Sequence, residues 1–278
     1  METKTNNSFW TVLVFILTML LIANMLIAPT VFYSLTVGGL TLFFTRLVPV
    51  LFPFFVLCGI VTQVAGKNSV WLGALCGTPA SAKIILDLYN QNKLNKNQAH
   101  SFAKMLSNPS PAFILGVVPN GLIVLFCVLT SSAILCISHI SQILKAPKFQ
   151  KLPKTAQSKT LSISQIFNTS IKTAINNILI VGGFVVMFFI FTKTLSTAFP
   201  ALWILTGFFE ITCGVASTNN IFVLTAITAF GGLCIAMQNF IFLADTGLKF
   251  SNYIIFKVLQ TAIAVALCFI VCTLLYNA

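Results

Sequence analysis

The chain has 278 residues, of which 58% are apolar and only 7% charged, and its mean hydropathy is +0.98. A soluble domain carries about a quarter of its residues as charged side chains, so a water-facing surface is excluded and the chain reads as a membrane protein. Sixteen Lys and Arg against four acids give a net charge of +12. In a bilayer that excess reads as orientation and attraction to anionic lipid, not as nucleic-acid binding.

The first apolar run, residues 9–28, is long enough to cross about 30 Å of hydrocarbon. No small-x-small site precedes Pro29, so it is expected to be a retained helix and not a cleaved signal. Residues 31–65 contain Arg46, Pro49 and Pro53; they are read as a short or interfacial helix to about Thr45 and a span over 47–65. Residues 69–89 follow, with an expected break at 77–83, where Gly77 and Pro79 interrupt the helix. The polar stretch 90–104 carries an Asn95/Gln98 capping signature, which predicts a short amphipathic surface helix. Ser107-Asn108-Pro109-Ser110-Pro111 then opens an apolar stretch to about Ile140, broken at Pro119-Asn120-Gly121.

Residues 141–172 hold Lys145, Lys148, Lys151, Lys154, Lys159 and Lys172 and no acid, which places this linker in the cytoplasm. If the basic 90–104 segment is cytoplasmic too, 106–140 must cross an even number of times. Two spans need about 40 residues, so a re-entrant first arm is preferred; the alternative is that one basic loop breaks the rule. The second half is read as spans at 174–192, 201–218 with Glu210 near its centre, 221–243 interrupted at Gly231-Gly232, and 253–276. The organisation expected is a first membrane half over 1–140, the linker 141–172 and a second half over 173–278. Interrupted segments in both halves point to an all-α polytopic membrane protein, an inverted-repeat transporter-like bundle with broken helices or re-entrant hairpins.

Glu210 is the most informative residue. A carboxylate in mid-bilayer costs on the order of 3 kcal/mol or more unless paired or protonated, which marks it as a coupling or solute-binding group, or else a structural ion pair. Lys83 is either a cation facing an anionic solute or a snorkelling interfacial lysine. Asn108 and Ser110 lie at the start of an expected half-helix, where free N–H groups suit an anion, although an ordinary cap is the plainer alternative. Thr78, Ser81, Thr212 and Gln238 complete the expected solute-binding set. The eight cysteines form no CxxC pair and read as small buried hydrophobes. No HExxH, GxGxxG, Walker sequence or nucleophile elbow is present, so neither an enzyme nor a cofactor or metal site is expected. The expected partners are a small solute and the lipid bilayer, with homo-oligomerisation left open.

The ordered motifs resemble the sporulation integral membrane protein YlbJ family, which carries the nucleoside-recognition Gate domain. The family's Ser-Gly-Tyr-Pro-x-Gly-Ala-Lys motif stands here as Cys76-Gly77-Thr78-Pro79-Ala80-Ser81-Ala82-Lys83. Its Asn-Asn-Ser-Gly-Pro run is similar to Ser107-Asn108-Pro109-Ser110-Pro111, its Glu-x-Thr-x-Gly to Glu210, Thr212 and Gly214, and its Ser-Phe-Gly-Gly-Leu to Ala229-Phe230-Gly231-Gly232-Leu233, with Gln238 after it. The stretch from Ala65 to Leu75 looks shortened. The resemblance implies a core like that of concentrative nucleoside transporters. It also implies the movement of dipicolinate, a small aromatic dicarboxylate, from mother cell toward forespore, in a multi-pass protein of the cell membrane or the forespore outer membrane. Nucleoside permease and non-transporting sporulation scaffold are the alternatives.

Overall fold

A computed structural model describes residues 8–137 and 162–276. Everything described is helical or connecting turn. Among the described residues, four helices are long and apolar enough to cross a membrane: Pro29–Val64, Ile163–Ala198, Ile221–Thr246 and Phe250–Tyr276. Their outer faces are apolar, with Phe44, Leu57, Leu179, Ile255 and Phe269 exposed, whereas Asn177, Gln238, Lys257 and Gln260 are buried. Apolar outside and polar within is the arrangement a lipid solvent selects. The chain is thus a polytopic membrane bundle.

Helix α1 (Ser8–Ile27) leads into α2 (Pro29–Leu42), a π-helical turn (Phe43–Leu47) and α3 (Val48–Ala65). The break expected near Thr45 is absent: one helix runs through it. The wide turn sits directly ahead of Pro49, where a proline ring and its missing N–H would disrupt a regular α-helical ladder. Phe43 faces inward and covers Gly182, where an added Cβ would stand 2.6 Å from its ring.

After a 3-10 turn (Gly66–Trp71), α4 (Leu72–Cys76) and α5 (Ala80–Asn90) flank the first break, which is narrower than expected, residues 77–79 only. Helix α6 (Lys96–Met105) opens with the predicted capping box, Asn95 and Gln98 each accepting the other's backbone N–H. Helix α7 (Pro111–Val117) has seven residues, about 10 Å at 1.5 Å per residue, too short to cross. The chain turns at Asn120 into α8 (Gly121–Ile137).

Helix α9 (Ile163–Ala198) extends well beyond the expected 174–192, and its first ten residues occupy what the sequence reads as linker. The cause is a capping box in which the Ser162 hydroxyl accepts the Gln165 N–H and the Gln165 side chain accepts the Ser162 N–H. Of the linker lysines only Lys172 is described; His139 and residues 141–161 lie outside the described residues. The span expected over 201–218 is instead two short helices, α10 (Trp203–Phe209) and α11 (Ile211–Ala216), parted at Glu210. Helices α12 (Ile221–Phe230) and α13 (Gly232–Leu243) meet at Gly231-Gly232, with φ of 85° and 81°, and α14 (Phe250–Tyr276) closes the described chain.

Two apolar cores result. One gathers α3, α5, α6, α9 and α13 around Phe55, Ile85, Phe102, Val181 and Phe242; the other gathers α7, α8, α11, α12 and α14 around Ile114, Val124, Ile211, Leu224 and Ala264.

At the polar end, His100 Nε2–H of α6 donates to the Thr246 carbonyl at 2.9 Å. Burial, helped by Lys96 and Lys104 nearby, pulls the His100 pKa below its ordinary 6.5, although the Thr246 bond works the other way. A depressed histidine favours the neutral ring in the fold. Its contribution is therefore intact above pH 6.5 and is lost as pH falls through the folded value. The thermal midpoint should fall between pH 7.5 and pH 5, and His100→Gln should flatten that part of the profile.

Candidate functional site

Four interruptions of the helical backbone converge at the seam between the two cores. Gly77 adopts φ 66° and ψ −175°, a conformation reserved almost wholly for glycine. The next residue's N–H, that of Thr78, donates to the Asn108 carbonyl at 2.9 Å, so the 77–79 break is stitched to the 107–110 break. The other two are also neighbours: a Cβ on Gly232 would lie 3.3 Å from the Ile211 nitrogen and 3.4 Å from the Phe209 carbonyl oxygen. The Glu210 break thus rests on the Gly231-Gly232 break.

Between the two pairs is a cavity of about 70 Å³. Its polar lining is Thr78, Ser110, Glu210, Thr212 and Gln238; Leu47, Leu51, Phe113, Val181 and Ile235 are among its apolar walls. Glu210 is 3% exposed and caps α11, its carboxylate accepting the Cys213 N–H at 2.8 Å and the Thr212 hydroxyl. A helix N-terminus and two donors are what an ionised carboxylate needs when water is absent. Ser110 caps α7 by accepting the Phe113 N–H at 3.1 Å. The Gln238 amide donates to Cys234 Sγ at 3.2 Å, and the Thr78 hydroxyl, buried at the wall, has no hydrogen-bond partner among the described residues. Among the described residues, Glu210 is the one charged residue of the lining.

Three residues of the expected solute set stand elsewhere. Lys83 is one turn along α5 and pairs with Asp87 at 2.6 Å, outside the cavity lining. Ser81 donates to the Leu106 carbonyl at 3.0 Å and ties α5 to the end of α6. Asn108 lies behind the wall, its amide donating to Ser132 Oγ at 2.9 Å and to the Met105 carbonyl at 3.2 Å.

Behind that wall the structure holds residues that reading the sequence did not single out. Lys257 of α14 is 1% exposed and donates to the Ser107 carbonyl at 2.9 Å, Gln260 Oε1 at 2.8 Å and Asn108 Oδ1 at 3.4 Å. Gln260 in turn donates to Asn108 Oδ1 and Ser132 Oγ, both at 2.7 Å. Tyr253, one turn before Lys257, receives the Asn239 amide at 2.8 Å. The signal was present: Tyr253, Lys257 and Gln260 recur at i, i+4 and i+7, one face of an otherwise apolar helix.

Compared with curated proteins, the chain is 22% identical over 336 residues to the sporulation integral membrane protein YlbJ of Bacillus subtilis (strain 168), covering 93% of this chain and 82% of that one. The chain is a distant homologue of YlbJ. The link is at family level. Because 336 aligned positions exceed this chain's 278 residues, YlbJ carries segments that this chain lacks. No family model matches the chain, and no solved structure matches it.

Proposed function

We propose that this chain is a secondary transporter whose solute site is the Glu210 cavity, and that it moves a small anionic heteroaromatic solute, dipicolinate being the candidate, in sporulation. The observation that carries the reading is a cavity with a buried carboxylate, lined by three backbone breaks, with the fourth, Gly231-Gly232, packed behind Glu210. Irregular backbone at membrane depth is tolerated where it lines a protein-enclosed cavity, and paired broken helices are how secondary transporters build their sites. The pairing of 77–79 with 107–110, and of 210 with 231–232, supports two inverted halves with the short α7 as a re-entrant arm. The relation to YlbJ supports sporulation as the setting and the cell membrane or forespore outer membrane as the place.

The charge balance gives the transport step its form. With Glu210 in the wall and, among the described residues, no basic side chain in the lining, an anion enters together with a proton on Glu210 or with a cation beside it. That requirement would couple solute to an ion gradient. The volume gives the step its motion. An engineered cavity of about 150 Å³ holds benzene, and 70 Å³ is under half of that. At that volume the cavity does not hold an aromatic ring, and loading requires the two pairs of breaks to part.

One observation favours a second reading. With Lys83 held by Asp87, the lining offers hydroxyls, an amide and a carboxylate, which suit a neutral nucleoside. Uptake by proteoliposomes of the purified protein separates the readings. Saturable uptake of labelled dipicolinate under an imposed proton or sodium gradient supports the first. Uptake of nucleoside alone supports the second, and uptake of neither moves the chain to a scaffold role.

A further inference from the structure

The buried lysine of α14 has no counterpart in the transport reading so far. Of the chain's four acids, Asp87 is paired with Lys83 and, among the described residues, none is within ion-pair reach of Lys257. An ammonium removed from water without a carboxylate is costly. Its three donors are instead spent on three neutral acceptors, and two of those belong to one short segment: the Ser107 carbonyl and the Asn108 side chain. The same segment continues into Pro109 and Ser110, which line the cavity. Gln260, one turn on, grips Asn108 from the same face and anchors it to Ser132 of α8.

We propose that Lys257 is the positioning residue of the cavity's Pro109–Ser110 wall. A charge-assisted grip from α14 holds the 107–110 segment in the closed arrangement, and this grip is released when the wall moves to admit solute. The inference deepens the transport reading and rests on it for its purpose. The geometry it invokes, one ammonium holding a wall shut, does not depend on which solute is carried. Lys257 makes no contact with the solute space; it acts through Ser107 and Asn108. The three donations gather on one short segment and on the Gln260 that also holds it, so losing Lys257 removes the direct tie between α14 and the 107–110 wall.

The native cysteines supply the test. Cys234 lines the cavity, whereas Cys127 and Cys268 are fully buried in the other core region around α8 and α14. Membrane vesicles holding the full chain are treated with N-ethylmaleimide, and the rate of alkylation at each cysteine is read by mass spectrometry. Lys257→Met keeps length and apolar bulk while removing the donors; Gln260→Leu removes the neighbouring half of the grip. Both should raise the rate at Cys234, by about tenfold for Lys257→Met, the scale of losing a charge-assisted buried bond, and leave Cys127 and Cys268 unchanged. An unchanged Cys234 rate in Lys257→Met overturns the proposal. So does a parallel rise at all three cysteines, which would show Lys257 holding the bundle as a whole. Absence of dipicolinate or nucleoside uptake by the wild type would defeat the solute reading while leaving this result to stand or fall by itself.

Discussion

Replacing Gly77 by alanine is expected to destabilise the folded protein by about 3 kcal/mol and to abolish any transport through the cavity. Two costs add. The backbone at φ 66°, ψ −175° is nearly closed to residues with a Cβ. The new methyl would also stand 2.3 Å from the Ser110 nitrogen and 2.5 Å from its Cα. Neither neighbour is a flexible side chain, so the two stitched breaks must part. Gly231→Ala separates these costs. Its φ is 85°, yet nothing lies within 4 Å of an added Cβ, so only the conformational cost remains, about 1 kcal/mol. Unfolding of both variants in mixed micelles, compared with wild type, checks the difference. Equal losses would mean that the 77–110 contact is not tight.

Asn108→Ala is the second large effect. Four hydrogen bonds meet at this side chain: it donates to Met105 and Ser132, and it accepts from Lys257 and Gln260. Bonds within membrane proteins average below 1 kcal/mol each, but here truncation also takes an acceptor from a buried ammonium. A loss of about 2 kcal/mol is expected. Asn108→Asp keeps both acceptances and offers Lys257 an opposite charge, but it sets an oxygen against the Met105 carbonyl, so it should not restore wild-type stability. An alanine variant as stable as wild type would show the network to be slack.

Why some of this was legible in the sequence, and some not, follows from what each feature depends on. Broken helices announce themselves locally: Gly77 with Pro79, Pro109 with Pro111, and Gly231 with Gly232 each alter the backbone whatever surrounds them. Capping boxes at Asn95 and Ser162 are equally local, though only the first was read, so α9 begins ten residues inside the expected linker. The helix through Arg46 and Pro49 was missed because a π-helical turn accommodates proline without ending the helix, and spacing does not reveal that. Glu210 was visible as a charge among apolar residues, but its position as a cap that splits a span depends on the Cys213 and Thr212 donors closing around it. The direction of Lys83 was undecidable from sequence, since Asp87 at i+4 and a cavity at the helix start are both in reach. The face that Lys257 shares with Tyr253 and Gln260 is visible in the sequence, but what that face meets is not, and 27 residues of helix with one lysine read as an ordinary span. Only the three-dimensional meeting with Ser107 and Asn108 shows what the lysine holds.

Glu210, proposed to line the solute cavity and take part in moving solute, is tested by uptake of labelled dipicolinate into proteoliposomes, wild type beside Glu210→Gln. Glutamine keeps an oxygen that can cap α11 through the Cys213 N–H, so the variant should fold and insert as wild type does. Saturable, gradient-dependent uptake by the wild type and loss of that uptake in Glu210→Gln are expected. Equal gradient-driven uptake by both proteins would contradict that role.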